Sequence, residues 1–372
     1  MKKKARQANM ELLRIIAMLM VVILHYLIKG QAVVSLVENT SVLNLILWIV
    51  EALCIVTINL YVLISGYFLV DAEWKISRLI ILWFQVMFYS LGVPVVCLAL
   101  GLGEVKEWGL YDWINVLFPI QMEHYWFITA YVVLYLFVPA LSAGVKKITK
   151  KQHLLIVAGL LLVFSIPKSI LPIGIPTDRF GYDFGWFLCL FMIASYIRRY
   201  NIPFFFNKRR GFAVYILAVM GIWGISFLCA VLSRKGLPLT YAMEMPYCYN
   251  HILVMVASVA LFFVFRYIQI PQGRLSNVIC KISSYSLGVY LLHENLAVRT
   301  EWQLWMGIEQ VRGGFGIFPH MLLAVFTVFA VGIMVDFVRD CIFKVVQRIC
   351  KKSFERRVTT IEKNRMLYRE KK

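Results

Sequence analysis

Long apolar runs, each closed by a short polar or basic stretch, follow one another along the whole chain. They lie near 10–28, 43–70, 79–102, 125–144, 152–172, 182–200, 211–233, 247–268, 283–299 and 316–343. Runs of this length are those that cross a ~30 Å hydrocarbon core as helices rising 1.5 Å per residue. The pattern predicts an all-α, polytopic transmembrane bundle of about ten helices over residues 1–343, followed by a basic tail at 344–372. The first run follows Lys2, Lys3, Lys4 and Arg6 and has no small-residue cleavage site after it, so it is expected to stay in the protein as a membrane helix.

Composition agrees with the hydropathy pattern. Of 372 residues 61% are hydrophobic and 16% charged, more apolar surface than a soluble chain of this length hides in one core. The net charge of +19 is distributed by topology. With the N-terminus inside, thirty of the 39 Lys and Arg residues fall on the inner side and eight on the outer, with Arg14 within the first run. Cytoplasmic loops retain positive charge, so both termini are expected in the cytoplasm. Beside a membrane span, Lys351-Lys352 and Arg356-Arg357 read as anchors for anionic lipid, not as a nucleic-acid site. Eight scattered cysteines with no CxxC pair point to packing residues, with neither zinc nor a disulfide framework expected. Trp108, Tyr111, Trp113, Tyr241, Trp302 and Trp305 sit in the longer outer loops, as interfacial anchors do.

Ionisable groups inside a span are costly, which makes each a functional candidate. Arg14 and His25 both lie in the first, MELLRIIAMLMVVILHY. Eleven residues make about three helical turns, so the two side chains share a face and stand ~16 Å apart along the axis. Taken singly, each has a simpler reading as a side chain snorkelling to the nearer headgroups. Glu51, a third of the way into the second run, is a candidate to orient His25 or to pair with Arg14, and the sequence does not choose between them.

These residues and four later segments resemble the acyltransferase-3 family, bacterial membrane enzymes that acylate cell-surface glycans. Arg14 and His25 form its R-x10-H. The Ser65-Gly66-Tyr67 helix, SRLIILW (77–83), HYWFITAYVVLYLFVPAL (124–141) and SSYSLGVYLLHE (283–294) match its further motifs in order, over nearly the whole chain. Many relatives carry an esterase-like soluble domain after the bundle. Here a short basic tail stands in that place, so such chemistry is expected to be absent or supplied by a partner.

The resemblance implies transfer of an acyl group, commonly acetyl, from cytoplasmic acyl-CoA to a hydroxyl of a surface polysaccharide, lipid-linked glycan or precursor, in the bacterial cell membrane. Acyl-CoA would be a co-substrate, with no bound cofactor and no metal. Arg14, Ser65, Gly66, Lys75 and Arg78 would serve the donor at the inner end, where cations suit CoA phosphates; Ser65-Gly66 also reads as a close-packing site. Glu123, His124, Trp126, Asp178, Arg179, His293 and Glu294, with Asp183 nearby, would serve the acceptor, although ordinary interfacial solvation accounts for such residues too. His25 is expected to be the general base, with a covalent acyl-histidine as the competing chemistry. From another class, a transporter or flippase for a lipid-linked sugar would use Arg14, Glu51 and His25 as an ion or substrate pathway. A third reading, the membrane half of an amino-acid-handling resistance protein, lacks the racemase domain to which such bundles are fused.

Overall fold

The computed structural model describes residues 6–175, 178–205 and 207–369, with side chains described to residue 349 at the C-terminal end. Its regular structure is helical throughout these residues. α1 (Ala8–Lys29) is followed by α2 (Val42–Cys54) and α3 (Thr57–Leu69), which run on across a one-turn irregularity, and then by α4 (Ile76–Leu100). Short α5 (Leu110–Leu117) leads to α6 (Trp126–Lys147), and α7 (Lys150–Phe164) continues into α8 (Ile166–Ile170). α9 (Phe184–Tyr200), α10 (Lys208–Arg234), α11 (Thr240–Glu244) and α12 (Ile252–Arg266) complete the middle of the chain. α13 (Arg274–Ser283), α14 (Ser286–His293), α15 (Trp302–Trp305) and α16 (Ile317–Arg369) close it.

Seven segments among the described residues are long and apolar enough to cross a membrane: Ala8–Lys29, Val42–Leu69, Ile76–Leu100, Trp126–Lys147, Lys208–Arg234, Thr240–Arg266 and Ile317–Ile349. Large apolar side chains such as Leu155, Leu217 and Leu323 point outward along the bundle, as a lipid-facing surface requires. The protein is therefore a multi-pass membrane protein.

Three of the ten expected spans come out differently. The run at 182–200 is a 17-residue helix. The run at 152–172 breaks at Ser165, two residues before Pro167, which has no N–H to continue the helix. The run at 283–299 breaks at Ser284-Tyr285 and is helical only to His293. There Ser284 Oγ donates to Lys281 O (2.6 Å) and Ser286 Oγ to Ser283 O (2.9 Å), local bonds of the kind that compete with a helical ladder.

Short α14 is held firmly. It packs along α16 where Gly332 meets Val289, a contact too close for any Cβ. Below it, the Asp336 carboxylate of α16 is buried with all its charge answered. Arg339 donates to both oxygens (2.8 and 2.9 Å), and Gln85 Nε2 and Tyr89 OH of α4 add 2.9 and 3.0 Å bonds. A buried pair this fully bonded locks α4 and α16 in one register.

Candidate active site

A cavity of about 320 Å³ opens between α1, α3, α4, α6 and α14. Arg14, Met18 and Val21 of α1 line it, and His25 is the next position on the same face, one turn or ~6 Å beyond Val21. The shared face of Arg14 and His25 is thus a cavity wall over most of its length. Ser65 of α3 and Arg78 of α4 line the same cavity, with Tyr61, Tyr131 and Tyr135 supplying further hydroxyls.

Arg14 is anchored within its own helix. Its Nη1 donates to both oxygens of Glu11 (2.9 and 3.0 Å), and Glu11, which is 5% exposed, also accepts from Ser283 Oγ at 2.6 Å. The acid–base spacing of three residues was the available signal for this pair. Arg78, exposed at the cavity's edge, forms no ion pair among the described residues.

At the other end of that face, His25 meets α14. Its Nδ1 lies 2.9 Å from His293 Nε2 and 3.1 Å from Glu294 Oε2. His293 Nδ1 is 2.5 Å from the Val289 carbonyl oxygen, which only accepts, so that nitrogen carries the proton and Nε2 is the acceptor. His25 Nδ1 then faces two acceptors and must itself be the donor. Its Nε2 is left with a free lone pair and, among the described residues, no hydrogen-bond partner. The ring is about a fifth exposed, so that lone pair is open to a substrate.

Lys29, one turn beyond His25, places Nζ 2.5 Å from both oxygens of Glu294. Trp302 is buried against His293 and Tyr26 instead of anchoring at an interface. Glu51 joins neither charge it was a candidate to serve. The carboxylate beside His25 is Glu294 and that beside Arg14 is Glu11, while the acid nearest in influence to Glu51 is Glu244.

The remaining expected residues separate into groups. Gly66 lies outside the cavity lining and packs against Ala194 and Phe191, the close-packing alternative. Lys75 is exposed and paired with Glu73 at 2.9 Å. Glu123, Trp126 and Arg179, with Asp183, line a second cavity of about 430 Å³ between the starts of α6 and α9. Asp178 is turned away from it, paired with buried Lys168 at 2.9 Å and bonded by Asn250 Nδ2 at 2.7 Å. His124 stacks on Tyr125 and accepts the Leu296 N–H at Nε2 (3.0 Å), which requires a neutral ring. Burial, reinforced by the Arg299 charge, lowers its pKa to about 4.

A family model described as an acyltransferase domain matches residues 7–339, from before α1 to the buried Arg339 of α16. The chain belongs to the acyltransferase-3 family. Among curated proteins and solved structures, nothing matches it. The protein is a membrane-embedded acyltransferase, which decides between the enzyme and the transporter. Membership of the family implies an acyl donor.

His25, His293 and Glu294 also bring three potential metal-ligand atoms within 4.8 Å of one another. A cation there would compete with the Lys29 ammonium for the carboxylate, whereas the Nδ1–H that His293 gives to the Val289 carbonyl leaves its Nε2 lone pair able to ligate.

Proposed function

We propose that this acyltransferase moves an acyl group, acetyl by preference, from cytoplasmic acyl-CoA to a hydroxyl of a surface polysaccharide, lipid-linked glycan or glycan precursor in the bacterial cell membrane. The observation that carries the reading is the held tautomer of His25, whose Nδ1–H is taken by His293 and Glu294 while Nε2 stays free. A neutral imidazole presenting a lone pair is what a general base for a hydroxyl requires.

The donor's charged nucleotide stays at the Arg14 end, where Arg78 has its charge unpaired and Arg14 lines the wall. Only the uncharged pantetheine arm and thioester enter the cavity, which is walled largely by Leu, Met, Ile and aromatic side chains. An extended arm reaches on the order of 15–20 Å, matching the ~16 Å from Arg14 to His25 along α1. The acceptor hydroxyl gives its proton to His25 Nε2 as its oxygen attacks the thioester carbonyl. The carbon–sulfur bond then breaks, and the CoA thiolate takes that proton back. Glu294 offsets the positive charge that the ring carries between the two transfers. The cavity of Glu123, Trp126, Arg179 and Asp183 offers an aromatic face and hydrogen-bonding groups for the acceptor.

Supplying [14C]acetyl-CoA to membranes and analysing surface glycans by mass spectrometry, in deletion and complemented strains, tests this reading. An acetyl-sized mass gain on a glycan, present only with the gene, supports it. Labelled CoA consumption with no labelled glycan or glycan precursor counts against it.

A further inference from the structure

Tyr290 stands where the donor cavity meets the imidazole pair. Its side chain lines the cavity. On α14 it precedes His293 by three residues and Glu294 by four, so all three project from one face. Its ring lies 6.3 Å from that of His293 at 85°, and 5.9 and 6.2 Å from Tyr125 and Phe127.

The residue is 5% exposed, yet its hydroxyl finds no acceptor among the described residues. Its ring sits against Phe127 in the first turn of α6, which has no side-chain cap. A buried hydroxyl without an acceptor costs stability, and such a cost persists where function uses the group. The donor cavity that Tyr290 lines is the open space beside it.

We infer that Tyr290 is a catalytic residue whose hydroxyl donates a hydrogen bond to the thioester carbonyl oxygen of the acyl donor and strengthens that bond as the oxygen becomes negative. When the acceptor oxygen attacks, the C=O electron pair moves onto the carbonyl oxygen and Tyr290 answers the charge; collapse restores C=O and expels the thiolate. No proton leaves Tyr290, since His25 carries the one proton in transit. This inference rests on the proposed thioester-to-hydroxyl transfer at His25.

Tyr290→Phe deletes the hydroxyl and keeps the ring, so it separates catalysis from packing. Loss of one such donor lowers kcat by about 10²–10³-fold. The KM for acyl-CoA is expected to stay within about threefold, because ground-state binding is shared by the whole cavity wall. Removing an unsatisfied buried hydroxyl should leave thermal stability equal or higher. A second readout does not depend on turnover: the infrared carbonyl stretch of a bound, isotope-labelled ketone analogue of acetyl-CoA, with sulfur replaced by methylene. It is expected to lie at lower frequency in wild type than in Tyr290→Phe.

Full activity and an unchanged stretch in the variant overturn the inference and leave the His25 reading standing if His25→Ala is inactive in the same preparation. Low activity with an unchanged stretch and lowered stability means that Tyr290 serves packing, which also overturns it. If wild type transfers nothing from acyl-CoA, the parent reading fails and this inference falls with it.

Discussion

Glu294 Oε2 lies 3.1 Å from His25 Nδ1 while the same carboxylate holds the Lys29 ammonium through both oxygens. In the proposed mechanism the carboxylate serves two cations in turn: Lys29 at rest and the His25 ring when it has taken a proton. Glu294→Gln retains an acceptor for Nδ1 but gives up the charge and leaves Lys29 unpaired. Because His293 Nε2 still fixes the tautomer, the expected loss in kcat is on the order of 10²-fold, short of the ~10⁴ that follows when the wrong tautomer is allowed. Steady-state rates with acyl-CoA saturating would measure it. Unchanged kcat would remove Glu294 from the reaction.

Arg14 should govern the donor and not the acceptor. Arg14→Lys keeps a charge but loses the planar fork, and the expected result is a roughly tenfold higher KM for acyl-CoA, equivalent to ~1.4 kcal/mol, with acceptor KM unmoved. Glu11→Gln should act in the same direction by loosening Arg14, and it should cost stability by about 1–3 kcal/mol because it removes a buried charged acceptor from Arg14 and Ser283. Competition by free CoA in each variant checks both. Loss of acceptor affinity with CoA affinity intact would reverse the assignment of the two ends.

His124 predicts a pH dependence of stability. Its pKa is about 4 in the folded protein against an ordinary value of 6.5, because burial and the Arg299 charge disfavour the imidazolium. Between those values the unfolded chain binds the extra proton. The contribution of the neutral ring is therefore complete above about pH 6.5 and lost as pH falls toward about 4, by roughly 3 kcal/mol in total. His124→Gln can still accept the Leu296 N–H and has no proton to gain, so its stability should fall less on acidification. Thermal unfolding of both proteins in detergent at about pH 7.5 and about pH 5 compares them. A steeper fall in the variant would contradict the account.

Orientation follows from charge. Residues 145–151 and 200–210 are expected to face the cytoplasm and 103–124 and 300–315 the outside, given the thirty-to-eight division of Lys and Arg. Single cysteines in a Cys-free background, labelled with an impermeant maleimide on intact cells, would report it. Strong external labelling between Lys146 and Lys151 would invert the model.

Hydropathy was enough to find the membrane-crossing helices, and the helical repeat was enough to place Arg14 and His25 on one face. Both depend on short-range periodicity, which a chain carries openly. The partners of His25 are 268 and 269 residues away, and only packing of α14 against α1 brings them there. His293 and Glu294 were legible as polar residues in a span, but not as neighbours of His25. Lys29 was legible only as one of the eight outer-side cations. Glu51 drew attention because it is isolated in an apolar run, whereas Glu11, near the start of α1, makes the consequential contact. The break at Ser284-Tyr285 arises from local serine bonds inside a run whose mean hydropathy reads as one span.

The central claim is that His25 takes the acceptor's proton through an Nε2 kept free by His293 and Glu294. Its most direct test is acyl transfer by purified His25→Ala, measured beside wild type with acyl-CoA binding determined on the same samples. The account predicts a loss of about 10²–10⁴-fold in transfer with acyl-CoA affinity within about threefold of wild type. Transfer at the wild-type rate in that variant would contradict it.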